Sequence, residues 1–178
     1  MDFQTLIVNG YANDKEALLT RTKTLLDAAR AKGIKVVYVV VGFRPGYPEV
    51  SARNMIFHTI KESGRFASSD ANAEIHSGVS PLSGEPVVTK HRVGAFAGTD
   101  LEMILRANNI DTLLLTGIAT SGVVLSTVRH AADADYRLIV VKDCCSDADE
   151  EVQRVLVEKV FARQATVVTT DEVIAALA

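Results

Sequence analysis

One stretch, Asp111 to Ala132 (DTLLLTGIATSGVVLSTVRHAA), limits what this chain can fold into more than any other. Thr112 to Thr116 is a short, continuous apolar run, the pattern of a strand buried on both faces. Gly117 interrupts it. Thr120 and Ser121 are candidate N-caps, and from Val123 to Ala132 apolar and small residues recur at helical spacing. A strand, a tight turn and a helix in that order leave free N–H groups and the positive helix end inside the turn. Ligands of open α/β sheets gather at the carboxyl ends of strands, so a site is expected here.

The rest of the chain repeats the alternation. Gln4 to Val8 reads as a first strand leaving at Asn9-Gly10. Asn13 and Glu16 have capping-box spacing, and Leu18, Leu25, Leu26 and Ala29 form one helical stripe that Gly33 ends. Lys35 to Val41 reads as the second strand of a βαβ unit with a right-handed crossover. Strands are also expected over Pro86–Thr89, Arg137–Val141 and Thr166–Thr169. Helices are expected over Met55–Lys61, from Thr99 to about Asn108 and over Val152–Phe161, with Thr169 and Glu172 capping a last one. Gly42–Arg53 reads as a loop at the exit of the second strand. Gly64–Ser83 is polar and irregular, as in a functional loop or an oligomer contact. Six strands alternating with helices predict one domain over residues 1–178: a three-layer, doubly wound, mostly parallel α/β sheet with helices on both faces.

Bulk properties narrow the function classes. The formal net charge is −3 with a pI near 5.8, and the basic residues form no block, which argues against a nucleic-acid surface. No apolar run reaches the length of a membrane span, and the first residues carry no basic region or cleavage signal. Cys144 and Cys145 are adjacent, which suits neither a disulfide framework nor a spaced metal motif. A cytoplasmic protein without nucleic-acid or membrane partners is the expectation.

The first βα turn, NGYAND, has neither G-x-G-x-x-G nor G-x-x-x-x-G-K-[ST], so nucleotide binding is disfavoured. G-x-S-x-G is absent. Ser121 lies in the central turn, as a helix cap or as a nucleophile for which no Ser-His-Asp order is evident. Lys90 directly follows a strand. It either faces the ligand edge, where burial would lower its pKa toward acid/base use, or snorkels to the surface.

Lys90-His91-Arg92-Val93-Gly94-Ala95-Phe96-Ala97-Gly98-Thr99-Asp100-Leu101 resembles the K-x-x-x-[SG]-A-F-x-x-T-x-L signature of the isochorismatase-like cysteine hydrolases. Leu115 to Thr120, with Thr127 and Ala131, is similar to that family's second signature, and Val140–Asp143 with Ala165–Val173 to its closing pattern. The variant SGVVLST of one subgroup stands here as Ser121 to Thr127. The resemblance implies a six-stranded sheet, a homodimer or higher homo-oligomer, and hydrolysis of small amides by an Asp, a Lys and a Cys. It also implies an oxyanion hole of turn amides and a cis peptide in the turn. Isochorismatases proper lack the Cys and cleave a vinyl ether by acid chemistry.

Set against that pattern, only Lys90 of the three catalytic positions is retained. Val123 occupies the Cys position. Asn9 occupies the Asp position, at the end of the expected first strand. Gln153 stands where relatives often carry a histidine. Gly42–Arg53 has none of the Asp and His ligands of metal-binding relatives, so no metal and no cofactor are expected. Asp14, Cys144 or Cys145 could substitute for a missing group, although buried structural cysteines are the simpler reading. Ala119, Thr120, Ser121 and Gly122 would bind substrate through turn amides. Arg44 and Arg92 would bind it through bidentate recognition of a carboxylate, or lie on the surface. Two functions follow. One is a hydrolase acting on, or binding, a small polar metabolite without a cysteine nucleophile. The other is a catalytically inactive pseudoenzyme serving as a binding or oligomeric scaffold.

Overall fold

Valine-rich segments with β-branched side chains favour extended backbone, and a computed structural model covering residues 1–178 places five of them in two parallel sheets. β1 (Tyr38–Val41) pairs with β2 (Val87–Lys90), with Val41 opposite Lys90. The other sheet has the order β3 (Thr112–Ile118), β4 (Arg137–Ser146) and β5 (Thr166–Val168). β3 carries an irregularity between Leu115 and Gly117, after which Gly117 lies opposite Cys145. Seven α-helices complete the chain: α1 (Thr5–Tyr11), α2 (Lys15–Ala31), α3 (Met55–Glu62), α4 (Leu101–Ala107), α5 (Leu125–Asp133), α6 (Glu150–Val155) and α7 (Thr170–Leu177). None is long and apolar enough to cross a membrane.

The expected first strand is a helix, and the sheets hold five strands instead of six. The reason lies in Gln4. Its side-chain oxygen accepts from Val41 N at 2.8 Å and its amide donates to Val41 O at 2.9 Å. Both edge groups that a strand continuing past Gln4 would use are thereby taken. The following residues coil into α1, whose Ile7 and Val8 pack with Phe3, Phe43 and Ile118. A five-residue apolar run suits either state, and tertiary partners decide.

The strand position between the two sheets is held instead by Met1 and Asp2. Met1 N donates to Thr116 O at 3.0 Å, and Ile118 N donates to Met1 O at 3.2 Å. This pair of bonds is one rung of a parallel ladder centred on Gly117. On the other side Asp2 N donates to Val39 O at 2.8 Å. Gly117 makes the approach possible, because a Cβ there would sit 2.8 Å from Met1 O.

Other boundaries shift by local chemistry. α2 is capped by Asp14, whose carboxylate accepts from Ala17 N, and not by Asn13. Gly33 ends it with φ of 68°. No capping box opens α4; Thr99 Oγ1 accepts from Leu101 N instead. The box of Thr169 and Glu172 does form on α7. The helix expected over Val152–Phe161 is split: α6 continues as a π-helical segment, Leu156–Val160, and a short 3-10 turn, Phe161–Arg163. Between Gly64 and Ser83 the chain makes two 3-10 turns and packs back on the first residues. His76 N donates to Phe3 O, and Val79 O accepts from the Tyr38 hydroxyl.

Candidate active site

Lys90 ends β2 with its side chain on the buried side of the strand, only 3% exposed. Alternation puts Val88 and Lys90 on the face shared with Val39 and Val41. A buried ammonium needs a partner, and that partner is Asp2. Lys90 Nζ lies 2.9 Å from Asp2 Oδ2 and also donates to Arg92 O at 3.1 Å. Asp2 is 5% exposed, has φ of 59°, and leaves Oδ1 buried with no hydrogen-bond partner. Burial pushes its carboxyl above the usual aspartate range, against the opposing pull of the Lys90 charge.

Asn9 is not part of this pair. It lies exposed on α1, where its side-chain oxygen accepts from Lys15 Nζ at 3.5 Å. The reading of Asn9 as the Asp position followed from placing a strand over Gln4–Val8; once those residues are helical, the carboxylate beside Lys90 comes from seven positions upstream of Asn9. The available signal was the pair of polar residues, Asp2 and Gln4, flanking Phe3 just ahead of an apolar run. Asp14 is an exposed helix cap and does not approach Lys90.

The central turn follows β3 through a cis peptide between Ile118 and Ala119 and continues as a π-helical segment, Thr120–Val124, into α5. The loop after Lys90 runs along this turn. Val93 faces Gly122, Gly94 approaches Ser126, and Ala95 N donates to Thr127 Oγ1 at 3.2 Å. Lys90 is therefore tied to the turn by the loop and to Asp2 by charge, while Met1 ties Asp2 to Gly117. Val123, 2% exposed, belongs to the same core cluster as Val39, Val88, Ala95 and Cys145. It has no atom able to act as a nucleophile.

Neither Thr120 nor Ser121 caps the helix with its side chain. Thr120 Oγ1 is buried without a partner. The turn is capped instead by Asp147, a 7%-exposed residue beyond β4 whose Oδ2 accepts from Ser121 N at 2.7 Å. Asp147 escapes sequence reading because its partner lies 26 residues away. Gly122 N is also engaged, donating to Ala119 O at 3.1 Å. Two of the amides expected to meet substrate are thus satisfied within the chain.

The two arginines diverge from carboxylate recognition. Arg44 is exposed and paired with Glu49, and Arg92 donates to His91 O at 2.6 Å. Arg44 does line a cavity of about 780 Å³, together with Gln4, Phe43, Asp70 and His91. Lys90, Asp2 and Val123 are not in its walls. Both cysteines are free and buried. Burial pushes the Cys145 thiol up to about 12 and raises Cys144, which contacts Thr170 Oγ1. No group of three or more His, Cys, Asp or Glu side chains is gathered as a metal ion would require.

Comparison with known proteins adds lineage to this geometry. Residues 1–172 match the isochorismatase domain. The N-carbamoylsarcosine amidase of an Arthrobacter species is 32% identical over 133 residues, 74% of this chain and 50% of that protein. The chain spans about half the length of the first curated relatives it matches. An isochorismatase family protein from Desulfovibrio vulgaris superposes with a TM-score of 0.86 at 29% identity, covering 99% of this chain and 94% of that one. A cysteine hydrolase from Pseudomonas syringae gives a TM-score of 0.90 at 23% identity, over 99% and 89% of the two chains, and so bears on the fold alone.

Proposed function

This chain belongs to the isochorismatase family, and from that membership we propose that it is a hydrolase of a small polar metabolite that works without a cysteine nucleophile, with Asp2 and Lys90 as its reactive pair. The observation that carries the reading is the buried Asp2–Lys90 contact with one carboxylate oxygen left unpartnered. Such an orphan oxygen is costly unless something else uses it. A carboxyl group held above its usual range by burial is suited to proton transfer. In the proposed reaction, water attacks the carbonyl carbon of an amide or ureide, and Asp2 takes the water's proton. The carbon–nitrogen bond then breaks, and Asp2 returns the proton to the leaving nitrogen. Lys90 balances the carboxylate charge. Amides of the turn that remain free, Ala119 foremost, face the developing oxyanion. The ligand is a small molecule, and homo-oligomeric assembly in the cytoplasm belongs to the same reading.

A second reading, a non-catalytic scaffold, draws support from closure. Asp2, Lys90 and Val123 are each 5% exposed or less, and the cavity of about 780 Å³ beside Arg44 does not reach them. Turnover of a panel of amides, ureides and isochorismate separates the two. The enzyme reading expects at least one substrate to be hydrolysed, with loss of roughly 10²-fold or more in Asp2→Asn and Lys90→Met. Equal rates in wild type and both variants, for every compound, would exclude it. A ligand-dependent rise in melting temperature without turnover would favour the scaffold.

A further inference from the structure

β2 pairs with β1 along one side and with no strand along the other. The ladder fixes which backbone groups point where. Tyr38 N donates to Pro86 O at 2.9 Å, and Gly42 N donates to Lys90 O at 3.2 Å. Inward and outward groups alternate along a parallel strand, so Val88 also turns to β1, while Val87 and Thr89 turn away from it. Neither Val87 nor Thr89 gives its N–H or C=O to any other backbone group of the chain.

An unpaired edge is a template for another strand, and chains usually guard it with lysine, proline or a bulge. No guard stands here. Pro86 directs its carbonyl to β1, the Lys90 side chain is buried against Asp2, and the register with β1 is continuous. Val87 is 47% exposed, and no other strand displays a large exposed apolar side chain. Leu82, 57% exposed in the turn just ahead of β2, adds apolar surface beside the edge. β5, the outer strand of the other sheet, is shorter and keeps Val167 and Val168 half-buried.

The β2 edge is complementary to itself. About a two-fold axis through Val88, an antiparallel copy brings Val87 opposite Thr89 of the partner subunit, and such a pair exchanges both N–H···O bonds. Every outward backbone group of Val87 and Thr89 is then met. The next rung would need Glu85 and His91, but Glu85 N already donates to Leu82 O, and His91 O already accepts from Arg92. The engaged Glu85 N also disfavours a register centred on Val87, which would set Thr89 against Glu85. We propose that β2 is the seam of an isologous dimer, in which two copies of this chain join antiparallel at Val87 and Thr89 and their two-stranded sheets become one. The seam also bears on the cavity of about 780 Å³, whose walls include Val40, Val87, Thr89, Ser68, Ser69 and Asp70. Val40, Val87 and Thr89 share one face of the sheet, so pairing extends that face across the axis and brings the cavities of both copies side by side. The proposal deepens the homo-oligomeric part of the function proposed above and does not depend on the reaction.

Light scattering on the eluting protein, with hydrogen exchange at Val87 and Thr89, is the test. The chain is expected to run as a dimer, at twice its 19.2 kDa, and to protect both amides roughly tenfold or more over the same chain at high dilution. Thr89→Pro deletes one donor of the seam, and Val87→Lys sets a charge on it. Each is expected to halve the measured mass while the melt stays cooperative; Thr89→Val, which keeps the N–H, stays dimeric. Should Thr89→Pro fail to fold, Val87→Lys decides alone. A wild type that is monomeric at high concentration overturns the proposal together with the homo-oligomeric reading. A dimer that the folded variants leave intact, or one whose Val87 and Thr89 amides exchange freely, overturns the proposal alone, since the copies then meet elsewhere. Mass and exchange are the readouts, so an absence of hydrolase activity leaves the outcome unchanged.

Discussion

Asp2–Lys90 and Arg30–Glu85 both join a carboxylate to a cation, at 2.9 and 2.8 Å, yet their surroundings treat them in opposite ways. Glu85 receives Arg30 in a two-pronged fashion and also accepts from Leu82 N. Arg30 spends its remaining donors on the Tyr38 hydroxyl and Ser80 O. Both carboxylate oxygens are used, both side chains are partly in solvent, and the Arg30 hydrogen bonds hold Glu85 below the usual glutamate range. At Asp2, burial prevails over the lysine and pushes the carboxyl up, and one oxygen has nothing to bond. The Arg30 pair is a fastener between α2 and the segment before β2. The Lys90 pair carries a cost that stability alone does not explain, which is the physical ground for reading it as reactive.

The largest expected effect breaks the contrast directly. Lys90→Met strands a buried carboxylate, and urea unfolding should show a loss of about 3–5 kcal/mol; adding Asp2→Asn to it should recover most of that. Arg30→Met should cost less, about 1–2 kcal/mol, because Glu85 can rehydrate. If the two single variants lose the same amount, the pairs are equivalent and the distinction fails.

The pH dependence sharpens it. Glu85 has a lowered pKa, so its contribution is full above the unfolded value of 4.5 and is lost as pH falls through the lower folded value. Asp2 has a raised pKa, so its contribution is full below 3.8 and is lost as pH rises from there through the higher folded value. Wild-type stability minus that of Glu85→Gln should therefore grow with pH, and minus that of Asp2→Asn should shrink. Urea midpoints measured from pH 3 to 7 would show slopes of opposite sign; parallel slopes would remove the electrostatic difference.

The smallest change is chemical. Cys145, pushed up to about 12 by burial, should resist iodoacetamide at neutral pH until the protein unfolds. Val123→Cys places a thiol at the turn, near the Lys90 loop. Alkylation there while Cys144 and Cys145 stay unmodified, read by mass spectrometry, would mark the turn as an activating environment. Equal inertness of all three thiols would argue that the turn is ordinary core.

Much of the architecture is readable residue by residue. The apolar runs Pro86–Thr89, Thr112–Thr116 and Arg137–Val141 mark β2, β3 and β4, the last two running on to Ile118 and Ser146, and α3 and α7 lie close to where spacing and capping place them. The first nine residues were not readable in that way. Gln4–Val8 has the composition of a strand, but whether it extends or coils depends on whether Gln4 finds the edge of β1, which lies 37 residues on. The candidate site inherits that ambiguity: misplacing one strand exchanges Asp2 for Asn9 and leaves the site without its carboxylate.

Local order is a property of neighbours, so the amino-acid order alone was enough for the α/β class, the strand–turn–helix around Gly117 and the position of Lys90 at a strand end. Which carboxylate meets Lys90, that the distant Asp147 caps the turn, and why five strands stand in two sheets were settled only when the chain closed on itself. Those outcomes depend on hydrogen bonds and charges competing across long separations, where the partner that removes the most unmet polar surface prevails.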